Sequence, residues 1–129
     1  VVGDLDGNIA RARAAWAAGR DAGAQMVVLP EMFVTGYQTQ DLVMKPAFHR
    51  DAMARVLMLA EDLRDGPILG IGGPWAEDGH LYNAYHVLRG GRVVARTRKH
   101  ELPNYNVFDE VRHFSAGPLS GPFDAGGVR

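Results

Sequence analysis

The stretch LYNAYHVLRGGRVVARTRK, Leu81 to Lys99, carries the clearest structural signal in the chain. Two alternating apolar–polar runs flank Gly90-Gly91, and a glycine pair between such runs predicts a two-residue hairpin turn. Upstream, ILGIGGP (Ile68–Pro74) is short and apolar and ends in glycines, which predicts a buried strand entering a turn. AQMVVLP (Ala24–Pro30) is a second β-branched apolar run, predicting another buried strand. A helix is expected before each. From about Asn8 to Ala22, Ile9, Ala12, Trp16 and Gly19 recur at helical spacing, with Asp6 as a candidate cap and Gly23 as the stop. From about Ala47 to Arg64, Met53, Val56, Leu57, Ala60 and Leu63 form the apolar stripe, and Gly66-Pro67 ends it. Helix, strand, loop, helix, strand, hairpin is the order of an α/β layer.

The totals set bounds. The chain has 129 residues, 47% of them hydrophobic, enough for one domain core. A formal net charge of -1 gives no basic field for nucleic acid or an anionic membrane. No apolar run approaches the roughly 18 residues of a membrane span, and nothing reads as a secretory leader. There is no cysteine, which removes disulfides, thiolate metal sites and a cysteine nucleophile from these residues. The chain opens on Val1-Val2-Gly3, so a start further upstream is expected. At the other end, FDAGGVR (Phe123–Arg129) reads as the approach to a further strand.

Several residues have the right type and place for chemistry. Glu31 follows a predicted strand, where a partly buried carboxylate suits a general base. By position alone, a surface carboxylate at a strand exit carries more weight. Lys99 ends the hairpin, where its charge could face a developing oxyanion or simply protect a sheet edge. The polar segment RKHELPNYNVFDEVRHF (Arg98–Phe114) then offers Asp109 and Glu110 as an acid/base pair or as groups that orient Lys99, although by position alone solvated carboxylates carry more weight. The five histidines form no i, i+4 ligand pattern, so no metal is assigned. GIGGPW fails the dinucleotide fingerprint because Trp75 stands where its last glycine belongs, and it reads as a strand-to-loop turn.

Two longer segments, LPEMFVTGYQTQDLVMKPAF (Leu29–Phe48) and RKHELPNYNVFDEVRHFSAG (Arg98–Gly117), resemble the nitrilase, or carbon-nitrogen hydrolase, superfamily. Within it they are most similar to the N-terminal glutaminase domains of glutamine-dependent NAD synthetases. The resemblance implies a four-layer α-β-β-α sandwich, of which residues 1–129 would be an incomplete N-terminal part. It implies a Glu-Lys-Cys triad with Glu31 as general base and Lys99 as oxyanion stabiliser, and Glu110 in a supporting role. Tyr37 and Tyr105 match aromatic positions lining the glutamine pocket. The nucleophilic cysteine and an ATP- and magnesium-dependent synthetase domain acting on deamido-NAD would lie outside this stretch. Without the cysteine, residues 1–129 alone are expected not to hydrolyse an amide. A cytoplasmic homo-oligomer is the further implication. A stand-alone nitrilase-family amidase and a non-catalytic scaffold of the same fold are the alternatives.

Overall fold

The computed structural model describes residues 1–127. Helix α1 spans Leu5–Asp21, strand β1 Met26–Val28, and a 3-10 turn Gln40–Met44. Helix α2 (Pro46–Asp62), strands β2 (Ile68–Glu77), β3 (His80–Arg89) and β4 (Arg92–Arg98), and the single-turn helix α3 (Glu110–His113) follow. The strands form one mixed sheet in the order β1-β2-β3-β4, with β1 parallel to β2 and the remaining pairs antiparallel. Ile9, Ala12 and Trp16 of α1 and Ala52, Val56, Leu59 and Ala60 of α2 pack with Leu69, Ile71 and Leu88 in one apolar core. A helical layer thus covers one sheet face, and residues 1–127 form two of the four layers expected. No helix among them is long and apolar enough to cross a membrane.

Both hairpins are set by turn chemistry. Gly90-Gly91 joins β3 to β4 as predicted, with φ of 58° and 81°. Asp78-Gly79 joins β2 to β3 in the same way, with φ of 50° and 78°. Two successive positive φ values favour the turn whose twist matches paired strands.

The structure corrects several expectations. Asp4, not Asp6, caps α1, its side chain accepting a hydrogen bond from the Gly7 amide at 2.9 Å. The run Ala24–Pro30 contributes only a short edge strand, and Val28 is exposed rather than buried. Of the expected α2 stripe, Val56 and Ala60 are buried and Met53 and Leu63 partly so, but Leu57 points outward, and Ala52 and Leu59 complete the buried face. No strand forms over Phe123–Gly127, and the rest of that expected strand lies outside the described residues.

The GIGGPW segment is not a turn. β2 continues through it to Glu77, and Pro74 fits because β2 has only β3 beside it there. Its glycines serve close approach. After β1 the chain clings to β2, with Leu29 N donating to Gly70 O at 2.8 Å and Val34 N to Gly72 O at 3.1 Å. A methyl group on Gly72 would come within 2.7 Å of Glu31 Cα and of the Pro30 carbonyl oxygen. Gly72→Ala is therefore expected to lower stability by about 1–3 kcal/mol, the usual cost of overpacking, and to displace Glu31. Thermal unfolding of the variant beside wild type checks this.

On β3, His86 is fully buried, its Nδ1 accepting from Arg96 Nε at 3.1 Å. The Arg96 guanidinium stacks on Trp75, whose ring meets His86 edge-on at 5.8 Å. Burial, and then the Arg96 charge, push the His86 pKa down from 6.5 to about 4, against a weaker opposing effect of the Gly73 backbone. Between those values the unfolded chain binds a proton that the folded chain does not. The contribution of His86 to stability is complete above pH 6.5 and is lost as pH falls toward 4. The size is roughly 3 kcal/mol at ~1.4 kcal/mol per pH unit. His86→Gln should flatten this acid limb in melting curves recorded between neutral pH and pH 4.

Candidate active site

Glu31 and Lys99 stand where the backbone leaves the sheet. The Leu29–Val34 segment lies against β2, and the Tyr85 hydroxyl holds the Leu29 carbonyl at 2.7 Å. This fixes Glu31 beside the ends of β3 and β4. Lys99 follows β4 directly, and its amide extends the ladder by donating to Asn83 O at 2.8 Å.

The side chains converge on one cation. Lys99 Nζ donates to Glu31 Oε1 at 2.8 Å and to Glu110 Oε1 at 2.9 Å. Burial by itself would lower the Lys99 pKa, but the hydrogen bonds and charges of the two glutamates outweigh it and raise the pKa. Lys99 is therefore a fixed ammonium at neutral pH. The two carboxylates are not equivalent. The Glu110 side chain is 8% exposed and its Oε2 has no partner among the described residues, whereas the Glu31 side chain is 45% exposed and open to a ligand. Asp109 instead forms an exposed ion pair with Arg112 at 3.6 Å, so Glu110 and not Asp109 is the partner of Lys99.

A cavity of about 260 Å³ adjoins this cluster through Glu110. Tyr37, Asp41, Asp109, Arg112 and His113 line it as well. That size lies just below the roughly 300 Å³ lower end of small-molecule pockets. Arg112 and His113 of α3 both bind Asp41 of the 3-10 turn, closing one wall. The His113 hydrogen bond, with the Arg112 charge, holds the Asp41 carboxyl below the usual carboxylate range despite some desolvation. Tyr105 does not line this cavity. The residue is 63% exposed, and its ring rests edge-on against Phe108 at 5.6 Å.

One residue of the site escaped the sequence reading. Asn83, on β3 and only 4% exposed, donates from Nδ2 to Glu31 Oε1 at 2.6 Å. The available signal was a buried-phase polar residue inside an otherwise regular strand, facing the same side as Tyr85. As a chemical arrangement, an ammonium between two carboxylates, one buried and one open, can hold a base in place and neutralise an anion formed nearby.

Known proteins resemble this chain in both sequence and shape. The carbon-nitrogen hydrolase family profile matches residues 1–128. Over 98% of its length the chain is 59% identical to the glutamine-dependent NAD(+) synthetase of Rhodobacter capsulatus, covering 23% of that protein. It is 34% identical over 90% of its length to the corresponding synthetase of Thermotoga maritima, covering 20% of it. The structure of the glutamine-dependent NAD+ synthetase from Acinetobacter baumannii superposes with a TM-score of 0.90 at 30% identity, over 98% of this chain and 24% of that one. An amidase from Nesterenkonia sp. superposes with a TM-score of 0.81 at 23% identity, over 99% of this chain and 48% of that one, a likeness of fold alone. The chain therefore spans about a quarter of the length of the synthetases it matches. With a nitrilase-like α/β fold and a family match over nearly all its residues, the chain belongs to the carbon-nitrogen hydrolase family.

Proposed function

We propose that the chain is the N-terminal part of the glutaminase unit of a glutamine-dependent NAD synthetase. The carrying observation is the Lys99 ammonium held 2.8 Å from the open Glu31 and 2.9 Å from the buried Glu110, beside a small cavity with charges of both signs. Similarity to synthetases along almost the whole chain supports the choice of glutamine as amide.

In this reading, Glu31 takes the proton of a cysteine thiol supplied by residues beyond this stretch, and the thiolate attacks the side-chain amide of glutamine. Lys99 and backbone amides stabilise the tetrahedral oxyanion. Protonated Glu31 gives its proton to the departing ammonia, and water then releases glutamate from the thioester, with Glu31 again acting as base. The ammonia serves ATP- and magnesium-dependent amidation of deamido-NAD at a second site of the complete protein, a cytoplasmic homo-oligomer. Asp41, Arg112 and His113 give the cavity the mixed polarity that suits a zwitterionic amino acid better than a simple aliphatic amide.

A substrate panel on the complete protein tests the proposal. Glutamine with ATP and deamido-NAD should yield NAD, and propionamide should be a poor substitute. Rapid hydrolysis of simple amides without NAD formation would replace this reading with that of a stand-alone amidase. Tyr37→Ala, which opens the cavity wall, should raise the glutamine KM about tenfold, as expected for losing roughly 1.4 kcal/mol of binding, and leave kcat nearly unchanged. Steady-state kinetics in glutamine checks this.

A further inference from the structure

We infer that Asn83 is a positioning residue that saturates Glu31 Oε1 and so makes Oε2 the proton-accepting atom. The inference rests on the amide-hydrolysing reading of the Glu31–Lys99 site and adds to it the part played by a neutral side chain from the neighbouring strand.

The two oxygens of Glu31 have different surroundings. Oε1 accepts from Asn83 Nδ2 at 2.6 Å and from Lys99 Nζ at 2.8 Å. Two donors occupy the two lone-pair directions of one carboxylate oxygen. Among the described residues no hydrogen bond goes to Oε2. With the Glu31 side chain 45% exposed, Oε2 is the oxygen left to meet a proton donor. When the proton arrives there, Oε1 keeps both of its bonds, and nothing has to rotate before the proton moves on to the leaving group.

Asn83 is built for this task. It is 4% exposed, and it sits opposite Pro74 in the β2–β3 ladder. Its own carbonyl accepts the Lys99 amide at 2.8 Å. One residue therefore anchors Glu31 through its side chain and the Lys99 backbone through its main chain, tying two residues 68 positions apart to one point on β3. The residue type follows from the charges already present. Lys99 already faces both Glu31 and Glu110, so a second cation against Glu31 would weaken it as a base and a third carboxylate would repel both. An amide donates without adding charge.

The test uses the complete protein, with glutamine-dependent and ammonia-dependent NAD formation measured side by side. Asn83→Ala frees the carboxylate to rotate. Since small misplacements at a reacting group cost up to ~100-fold, glutamine-dependent kcat should fall about 10–100-fold. The glutamine KM should stay within about threefold, and ammonia-dependent synthesis should be unchanged. Losing a donor to the ionised carboxylate also favours its protonated form, so the acid limb of the pH profile of kcat/KM should move to higher pH. Asn83→Asp keeps the shape, replaces the donor by a like charge, and should be slower than Asn83→Ala at neutral pH. An Asn83→Ala enzyme with kcat within twofold of wild type and an unmoved pH profile would overturn the assignment. Equal loss of both activities would also overturn it, by showing a structural role. If the wild-type protein prefers an amide other than glutamine, the glutaminase reading fails, and the same kcat and pH comparison on that amide still decides the role of Asn83.

Discussion

Glu31→Gln in the complete protein is expected to abolish glutamine-dependent NAD synthesis while leaving ammonia-dependent synthesis within about twofold of wild type. The substitution keeps the shape and the hydrogen bonds to Oε1 but removes the group that accepts the thiol proton. General bases contribute typically ~10²–10⁴-fold, and a neutral amide retains none of that. The amide also removes one of the two charges facing Lys99, at 2.8 Å, although Glu110 at 2.9 Å still compensates the ammonium. The expected variant is therefore folded, with its ammonia-fed reaction intact. Parallel assays with glutamine and with ammonium as nitrogen source measure this, and equal loss of both would contradict the assigned role.

Lys99→Met carries the second large effect, because it acts on chemistry and on folding together. Loss of a preorganised oxyanion donor costs about 10²–10³ in kcat. It also leaves the Glu110 carboxylate buried without its cation. Breaking a buried pair costs about 3–5 kcal/mol, and the partial exposure of Lys99 places this case at the lower end. A double variant, Lys99→Met with Glu110→Gln, separates the two contributions. Neutralising residue 110 should restore much of the melting temperature and none of the glutamine-dependent turnover. A single variant that melts like wild type, or that turns over within tenfold of it, would refute the central position given to Lys99.

These expectations draw on residues that were not equally visible in the sequence. The Gly90-Gly91 hairpin was legible because the turn residues and the alternation around them say the same thing. The Asp78-Gly79 hairpin carries an equally good turn signal, yet the Gly72-Gly73 pair of GIGGPW suggests an earlier end to β2. A glycine that permits a turn and one that permits close approach look alike in one dimension. Gly72 is of the second kind, and only the crossing of Pro30–Met32 reveals it. In the α2 stripe only Leu57 was misplaced, because Leu57 and Met58 are apolar as well and helical periodicity admits them as a neighbouring phase. In the site, the positions of Glu31 and Lys99 at strand ends were suggestive, and the family resemblance supplied their pairing. Glu110 was a weaker candidate, because whether an acidic residue in a polar loop is solvated or buried depends on how the loop folds back. Asn83 left almost no trace, since its partner is distant in sequence and its strand position is ordinary.

The most direct test of the central claim is to follow the amide nitrogen itself. The complete protein would be supplied with ATP, deamido-NAD and glutamine carrying ¹⁵N in its side-chain amide, in excess unlabelled ammonium, and the NAD formed would be weighed by mass spectrometry. The expected NAD is enriched in the heavy isotope well beyond its share of the free ammonium pool, with enrichment abolished by Glu31→Gln. NAD labelled no more than the free pool, or labelled equally in the Glu31→Gln protein, would contradict the central claim.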